Sequence, residues 1–170
     1  GGEDRECFYQ LLSAVERSSP GEIDRLADEQ LARRREELSL RVGKHDGNPQ
    51  QQTSEQRELK KADQQVDDVV PLFNDAAAQR GKLFVLEGDA RRAIEIQVDD
   101  PDIVRRFGIR KYYEIEMITD DSQNNPIVFC VAALPPDMPQ GENIHERVRV
   151  AGVFIKTWAY PIRNASDSVD

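Results

Sequence analysis

Four residues combine positive charge with aromatic rings, which is the chemistry that a ligand-binding β-surface uses. Arg110, Lys111 and Tyr112 are consecutive, and Trp158 is the only tryptophan of the chain. Cationic side chains attract phosphate and other acidic groups, while aromatic rings stack on bases and sugars. A structural interpretation also stays open, in which Trp158 is half-buried core and Tyr112 a simple exposed strand residue. These four residues are the candidate binding site.

The charges near this group disfavour nucleic acid as a partner. Its basic residues extend to Arg105 and Arg106, but five acidic residues lie close by in sequence: Asp99, Asp100, Asp102, Glu114 and Glu116. Across the chain, 32 acidic and 23 basic residues give a net charge of -9 at pH 7. Binding to a phosphate backbone requires an excess of positive charge. We therefore expect a protein partner or self-association rather than a nucleic acid.

Acidic residues and one histidine provide the only hint of catalysis or metal binding. Asp99, Asp100 and Asp102 surround a proline, and His145 follows later in the chain. Carboxylates and imidazole could transfer protons or bind a cation. Aspartates around a proline are also typical of a solvated turn, and no serine or cysteine nucleophile lies in a recognisable motif. We expect no enzyme activity, no metal and no cofactor.

The two cysteines, Cys7 and Cys130, do not form a metal or redox motif, because no Cys-x-x-Cys spacing is present. Cys130 lies in an apolar stretch and is expected to be a small buried residue. In an oxidising compartment the two thiols could pair, but their spacing alone does not establish a disulfide.

The first 80 residues have the periodicity of helices. In residues 4–17 an apolar stripe recurs at helical spacing, with the members Phe8, Leu11, Leu12 and Val15. A capping pattern at Ser19 predicts the start of a second helix. Within that helix the mixed charges of residues 33–37 are interpreted as a solvated face.

A polar loop is predicted at residues 43–52, followed by a third helix with a second capping pattern at Thr53. An apolar repeat extends that helix toward residue 73, with a break or kink at Pro71. The short connection favours an antiparallel hairpin of the second and third helices.

After Gly81 the apolar period changes from helical to alternating, which predicts β-strands. The first strand is long and interrupted at Gly88, and Gly152 permits a bend in the last strand. The third predicted strand is apolar on both faces and is expected to be central. The strands are predicted at residues 82–98, 112–119, 127–134 and 147–160, with residues 99–102 forming a turn and 135–141 a proline-rich crossing.

Together these patterns predict an α+β fold: a helical region at residues 1–80, a small OB-like antiparallel β-barrel at 81–162 and a polar tail at 163–170. An OB-fold has five strands and four are visible. The fifth could come from residues 153–160 or 69–73, or lie outside the chain. On such barrels the face of strands two and three and the adjoining loops bind ligands, which selects the four candidate residues above.

Residues 81–160 resemble uncharacterised bacterial membrane-associated or exported proteins, in which helices precede an OB-like domain and a membrane segment follows it. The resemblance is carried by Gly81-Lys82, Tyr112-Tyr113-Glu114, the turn 120–126 and the stretch 148–160. It implies a non-enzymatic interaction or structural role and an extracytoplasmic or membrane-proximal location. The alternative function is an OB-type domain that binds oligosaccharide or single-stranded nucleic acid. The longest apolar run, residues 127–134, is far shorter than the roughly 20 residues that cross a bilayer.

Overall fold

The computed structural model describes residues 2–19, 21–42 and 49–156. The helices are α1 (Gly2–Arg17), α2 (Glu22–Val42), α3 (Pro49–Asp63), α4 (Val70–Asn74), α5 (Ala76–Gln79) and α6 (Pro101–Phe107). The strands are β1 (Leu83–Gln97), β2 (Lys111–Ile118), β3 (Ile127–Val131) and β4 (Glu146–Val153). The prediction of an α+β protein with helices before an antiparallel sheet is confirmed.

The first two helices begin and pack largely as their patterns predict. Leu12 of the α1 stripe is buried, whereas Val15 is exposed. At the start of α2 the backbone N–H of Ser19 donates to the Glu22 carboxylate at 3.4 Å, which is one half of the predicted capping box. Three α2 residues are buried toward α3 and the sheet: Ala27, Leu31 and Leu38.

The predicted extent of the third helix is wrong at both ends. α3 begins at Pro49 instead of Thr53 and ends at Asp63, so residues 49–52 of the predicted loop are helical, while residues 43–48 lie outside the described residues. Gln65 then adopts a left-handed backbone, with φ of 63°, which turns the chain out of the helix. The backbone N–H of Asp67 donates to the Val85 carbonyl at 2.8 Å, so the segment after α3 runs beside β1 instead.

β1 is the long central strand of a curled four-stranded antiparallel sheet of order β3-β2-β1-β4. Its first half pairs with β4 and its second half with β2. At the bend, a Cβ on Gly88 would lie 2.3 Å from the Ile118 carbonyl oxygen, so only glycine fits there. A register shift between Ala90 and Arg92 adds to the curl. The predicted long first strand is confirmed, but the predicted interruption at Gly88 is wrong, because β1 is continuous there and its irregularity lies between Ala90 and Arg92.

Two strand predictions are corrected. β3 is not central, because it pairs only with β2 among the described strands. Its apolar residues alternate between the sheet interior, where Phe129 packs, and the side where Ala132 meets the α1 cluster. The bend predicted at Gly152 involves no bulge, since the pairing of β4 with β1 is regular from Glu146 to Val153. The predicted continuation of this strand to residue 160 falls partly on residues 157–160, outside the described residues.

The region predicted as a turn at residues 99–102 instead starts helix α6. The Asp100 side chain accepts a hydrogen bond from the Asp102 N–H at 2.9 Å, which is an N-cap, and Pro101 opens the helix. Gly108, with φ of 70°, ends it in the left-handed conformation.

The interior of the curled sheet is filled by inward residues of β1 and β2. It is covered at one end by residues 132–145, the connection from β3 to β4, which contains the proline-rich stretch and is called the crossing from here on. Met117 and Ala93 are fully buried in this interior. Ile144 of the crossing packs on Ala93, and Gly141 exchanges two backbone hydrogen bonds with Ala93 at 2.8 and 2.9 Å. The crossing is therefore ordered against the sheet.

Candidate functional site

Among the predicted binding residues that the structure describes, Lys111 and Tyr112 do not share a surface. Arg110 and Lys111 are exposed, and the Lys111 ammonium lies 3.7 Å from Glu95, which neutralises it. Lys111 and Tyr112 are adjacent in β2 and therefore point to opposite sides of the sheet. Trp158 lies outside the described residues.

Tyr112 is a packing residue under α1. Its ring meets Phe8 edge-on at 5.3 Å and Tyr9 at 6.5 Å between centroids. Burial raises the pKa of the Tyr112 hydroxyl to about 12, with smaller contributions from neighbouring ionisable groups. The structural interpretation of Tyr112 as an exposed strand residue is thus replaced by a half-buried aromatic contact.

Asp100 and Asp102, two of the acidic residues that could transfer protons or bind a cation, stabilise α6. Asp100 also forms an ion pair with Arg5 at 3.1 Å, and the Asp102 N–H that it accepts holds its pKa below the ordinary value. Asp102 pairs with Arg105 at 2.6 Å, and His145 is exposed. Within the described residues no group of three His, Cys, Asp or Glu side chains could hold a metal ion. No described helix is long and apolar enough to cross a membrane.

The two cysteines are free thiols in different surroundings. Cys7 is exposed on α1, whereas burial raises the pKa of Cys130 on β3 to about 12. The disulfide that the sequence left open is not formed in the structure.

The outward side of the sheet carries more carboxylates than cations. Arg92, Glu114 and Glu116 share this side, opposite the buried residues of β2, and Glu142 of the crossing reaches the same guanidinium. We call these four residues the acidic face. Three half-buried apolar or thiol side chains flank it in register: Ile94, Val128 and Cys130.

Arg92 contacts its three carboxylates only loosely. Its nitrogens lie 3.4 Å from Glu114, 3.8 Å from Glu116 and 4.0 Å from Glu142. Strong charge-assisted hydrogen bonds have distances of about 2.8 Å. Three carboxylates around one guanidinium leave a local charge of about -2, so the acidic face can attract a further cation.

A second group of charges joins the α2–α3 hairpin to the sheet. Asp67 and Asp68 follow α3 and are buried, with side chains only 4% and 1% exposed. Arg34 of α2 lies 2.8 Å from Asp67, and Arg57 of α3 lies 2.8 Å from Asp68. We call Arg34, Arg57, Lys61, Asp67 and Asp68 the junction cluster. The Lys61 ammonium lies 3.8 Å from Asp121 in the β2–β3 turn.

Asp67 acts as a short strand partner for β1. Its N–H donates to the Val85 carbonyl and its carboxylate accepts from the Val85 N–H, both at 2.8 Å. Burial raises the pKa of Asp67, and the Arg34 charge opposes that rise. The ordered segment after α3 therefore satisfies both backbone groups of Val85.

Arg34 is the cation that faces Asp67. Its Nη2 makes no hydrogen bond despite the 2.8 Å separation, so the contact is an ion pair with the oxygen off the N–H direction. The guanidinium also lies 5.3 Å from the Phe84 ring centroid, a cation–π contact. The interpretation of residues 33–37 as a solvated face is wrong for Arg34.

Backbone N–H groups also donate hydrogen bonds to Asp68 and Asp121. Asp68 accepts from the Val70 N–H and Asp121 from the Val69 N–H, both at 3.1 Å. Burial acts to raise the Asp121 pKa, but the Val69 N–H and the neighbouring donors outweigh it and hold the pKa below its usual value. These contacts order the segment that leads into α4.

A cavity of about 290 Å³ opens beside the junction cluster. Its walls carry charges of both signs, including Arg34, Glu58 and Lys82, around the ring of Phe84. Burial, and then the charge of Asp68, raises the pKa of Glu58. A cleft with shifted ionisable groups can be functional, but charged networks that hold structure shift pKa values as well.

Sequence reasoning missed the junction cluster. The available signal was the Asp67-Asp68 pair between Val66 and Val69 in an apolar repeat. All four residues are buried, so the charges inside the repeat required partners.

Comparison of the chain with protein-family models, with curated proteins and with solved structures finds no match.

Proposed function

We propose that the chain is a non-enzymatic protein-interaction module built on an OB-like β-barrel, and that it forms the soluble part of a membrane-associated or exported protein. The pairing of the sheet supports the OB-like part. β1 bends at Gly88 and pairs with β2 and β4 through its two halves, as the first strand of a small Greek-key barrel does. Closure by a fifth strand belongs to the proposal.

The acidic face is the observation that carries the interaction role. In an OB-fold the surface of strands two and three binds the ligand. Here the outward side of β2 carries Glu114 and Glu116, beside half-buried Ile94 and Val128. Carboxylates repel phosphate, whereas mixed acidic and apolar surface suits a protein partner. The face therefore favours a protein over the single-stranded nucleic acid of the alternative function.

Site-specific photo-cross-linking tests the interaction role. A benzophenone amino acid replaces Glu116 on the acidic face or, as a matched control, the exposed Lys60 on α3. We expect a discrete cross-linked product in cells of the parent organism from position 116 and none from position 60. Equal products from both positions, or none from either, would contradict the proposed surface.

Titration with small ligands tests the alternative function. The proposal would be overturned if a single-stranded oligonucleotide or an oligosaccharide bound saturably at low salt and if replacing Glu116 by a bulky residue abolished that binding. Fractionation of parent cells tests the location, and we expect the full-length protein in the envelope or the exported fraction.

A further inference from the structure

The acidic face has the β2 carboxylates in the middle, and three of the four flanking positions carry an apolar or thiol side chain. Glu114 lies between Ile94 and Cys130 in register, and Glu116 lies between Arg92 and Val128. A partner that meets this face must therefore present cations along its centre and apolar atoms beside them.

The internal cation does not saturate the carboxylates. Arg92 lies 3.4 to 4.0 Å from three of them, and the Glu142 side chain is 80% exposed. The net charge of -9 adds a long-range attraction for cationic partners. Lysine or arginine side chains are thus favoured at this surface over neutral or acidic ones.

The width of the face matches a helix. Three adjacent strands span about 10 Å, since neighbouring strands lie about 4.8 Å apart, and an α-helix is about 10 Å wide. Helix α1 contacts this side of the sheet at one end, because Phe8 packs on Tyr112, which lies on the same side of β2 as Glu114.

We propose that an amphipathic helix bearing lysine or arginine, supplied by another protein, docks on the acidic face beyond the end covered by α1. This inference rests on the proposed interaction role and names the chemistry of the partner. The basic residues of the helix pair with Glu114 and Glu116, and apolar residues on either side of them contact Ile94 on β1 and Val128 on β3.

Fluorescence anisotropy with designed peptides tests this partner chemistry on the whole chain. The probe is a labelled Leu/Lys peptide of about 18 residues, or five helical turns, patterned as an amphipathic helix. Two further peptides are a scrambled one of the same composition and one with Glu in place of Lys. We expect saturable binding of the patterned peptide, about tenfold weaker binding of the scrambled one and none of the acidic one. Added salt should weaken the binding.

Matched variants locate the binding. The double variant Glu114→Gln with Glu116→Gln keeps the size of both side chains. It should weaken the binding of the patterned peptide about tenfold. The control, Glu36→Gln with Glu37→Gln on exposed positions of α2, changes the net charge equally and should leave the affinity within about twofold. Arg92→Gln removes the competing cation and should tighten binding about threefold. Circular dichroism melts confirm that each variant is folded.

Equal binding of the patterned and scrambled peptides, or equal loss in the acidic-face and control variants, would overturn the helix assignment. Preference for the acidic peptide would overturn it as well. So would self-association in light scattering that the acidic-face variant abolishes, since the occupant would then be a second copy. In each case cross-linking at position 116 still reports on the interaction role independently.

Discussion

The two ends of β1 hold helices in different ways. Near Val85 the α2–α3 hairpin is attached through the junction cluster, whose aspartates are buried. Near the other end α1 packs on α6 through aromatic rings, with Tyr9 and Phe107 stacked at 6.0 Å. The α1 ion pairs, such as Arg5 with Asp100, are largely exposed. Ion pairs between arginine and aspartate therefore involve buried carboxylates at the start of β1 and largely exposed groups near its far end.

Burial explains the difference. Removing one partner of a buried pair leaves an unpaired charge and costs about 3–5 kcal/mol, whereas an exposed pair contributes about 0–1 kcal/mol. The hairpin should then depend on individual carboxylates, and α1 should depend on apolar packing. Four variants break or sharpen this contrast.

Asp67→Ala should have the largest effect, a loss of about 3 kcal/mol in the free energy of unfolding, because Arg34 and the Val85 N–H lose their partner. Urea denaturation measures it. The control is Asp63→Ala, which breaks the exposed pair with Arg35 and should cost less than about 0.5 kcal/mol. Similar losses in the two variants would show that burial does not decide the strength of these pairs.

Tyr9→Ala should release α1 at a cost of about 2–3 kcal/mol, since the buried ring contacts Phe8, Phe107 and Tyr112. Hydrogen exchange should show lost protection in α1 and unchanged protection in α2. Tyr9→Phe keeps the ring and serves as control. Loss of protection in both helices would mean that the two ends are not independent.

Glu58→Gln should raise the unfolding temperature slightly at pH 7, because it removes a half-buried charge. The folded pKa of Glu58 is raised, so its protonated form is favoured in the folded state. The stability that the protonated Glu58 contributes is fully present below its unfolded pKa and is lost as pH rises through its folded pKa. Thermal unfolding should therefore separate variant and parent at pH 7 and not below pH 4.5, the ordinary value. An equally large difference in unfolding temperature between variant and parent below pH 4.5 would refute the raised pKa of Glu58.

Glu6→Gln should have the smallest effect. Glu6 pairs with Arg106 across α1 and α6, but both side chains are nearly half exposed. Solvent screens such a pair, so the urea midpoint and the α1 exchange protection should be unchanged. A loss comparable to that of Tyr9→Ala would reverse the contrast between the two ends.

The sheet was predictable where local residues decide it. Alternation after Gly81 and the position of Gly88 predicted the long first strand, and both depend on neighbours in sequence. Helix α6 was missed because seven residues are too few for a clear period, although the Asp100 cap, Pro101 and Gly108 marked its ends.

The functional surfaces were less predictable because they join distant residues. Arg34 looked solvated in its own helix, since its partner Asp67 meets it only after the chain has folded back. The sequence predicts that Glu114 and Glu116 neutralise the nearby basic residues, yet the strand pairing places both carboxylates within reach of Arg92. Pairing register depends on the whole sheet, and single-strand patterns do not contain it.

The contact between Asp67 and Val85 has a consequence for solubility. Val85 directs its N–H and carbonyl away from β4, and the aspartate occupies both. Without it, an open strand edge would be available to other copies, which is how aggregates commonly begin. In the folded chain, the aspartate that anchors the hairpin therefore also covers the strand edge at Val85.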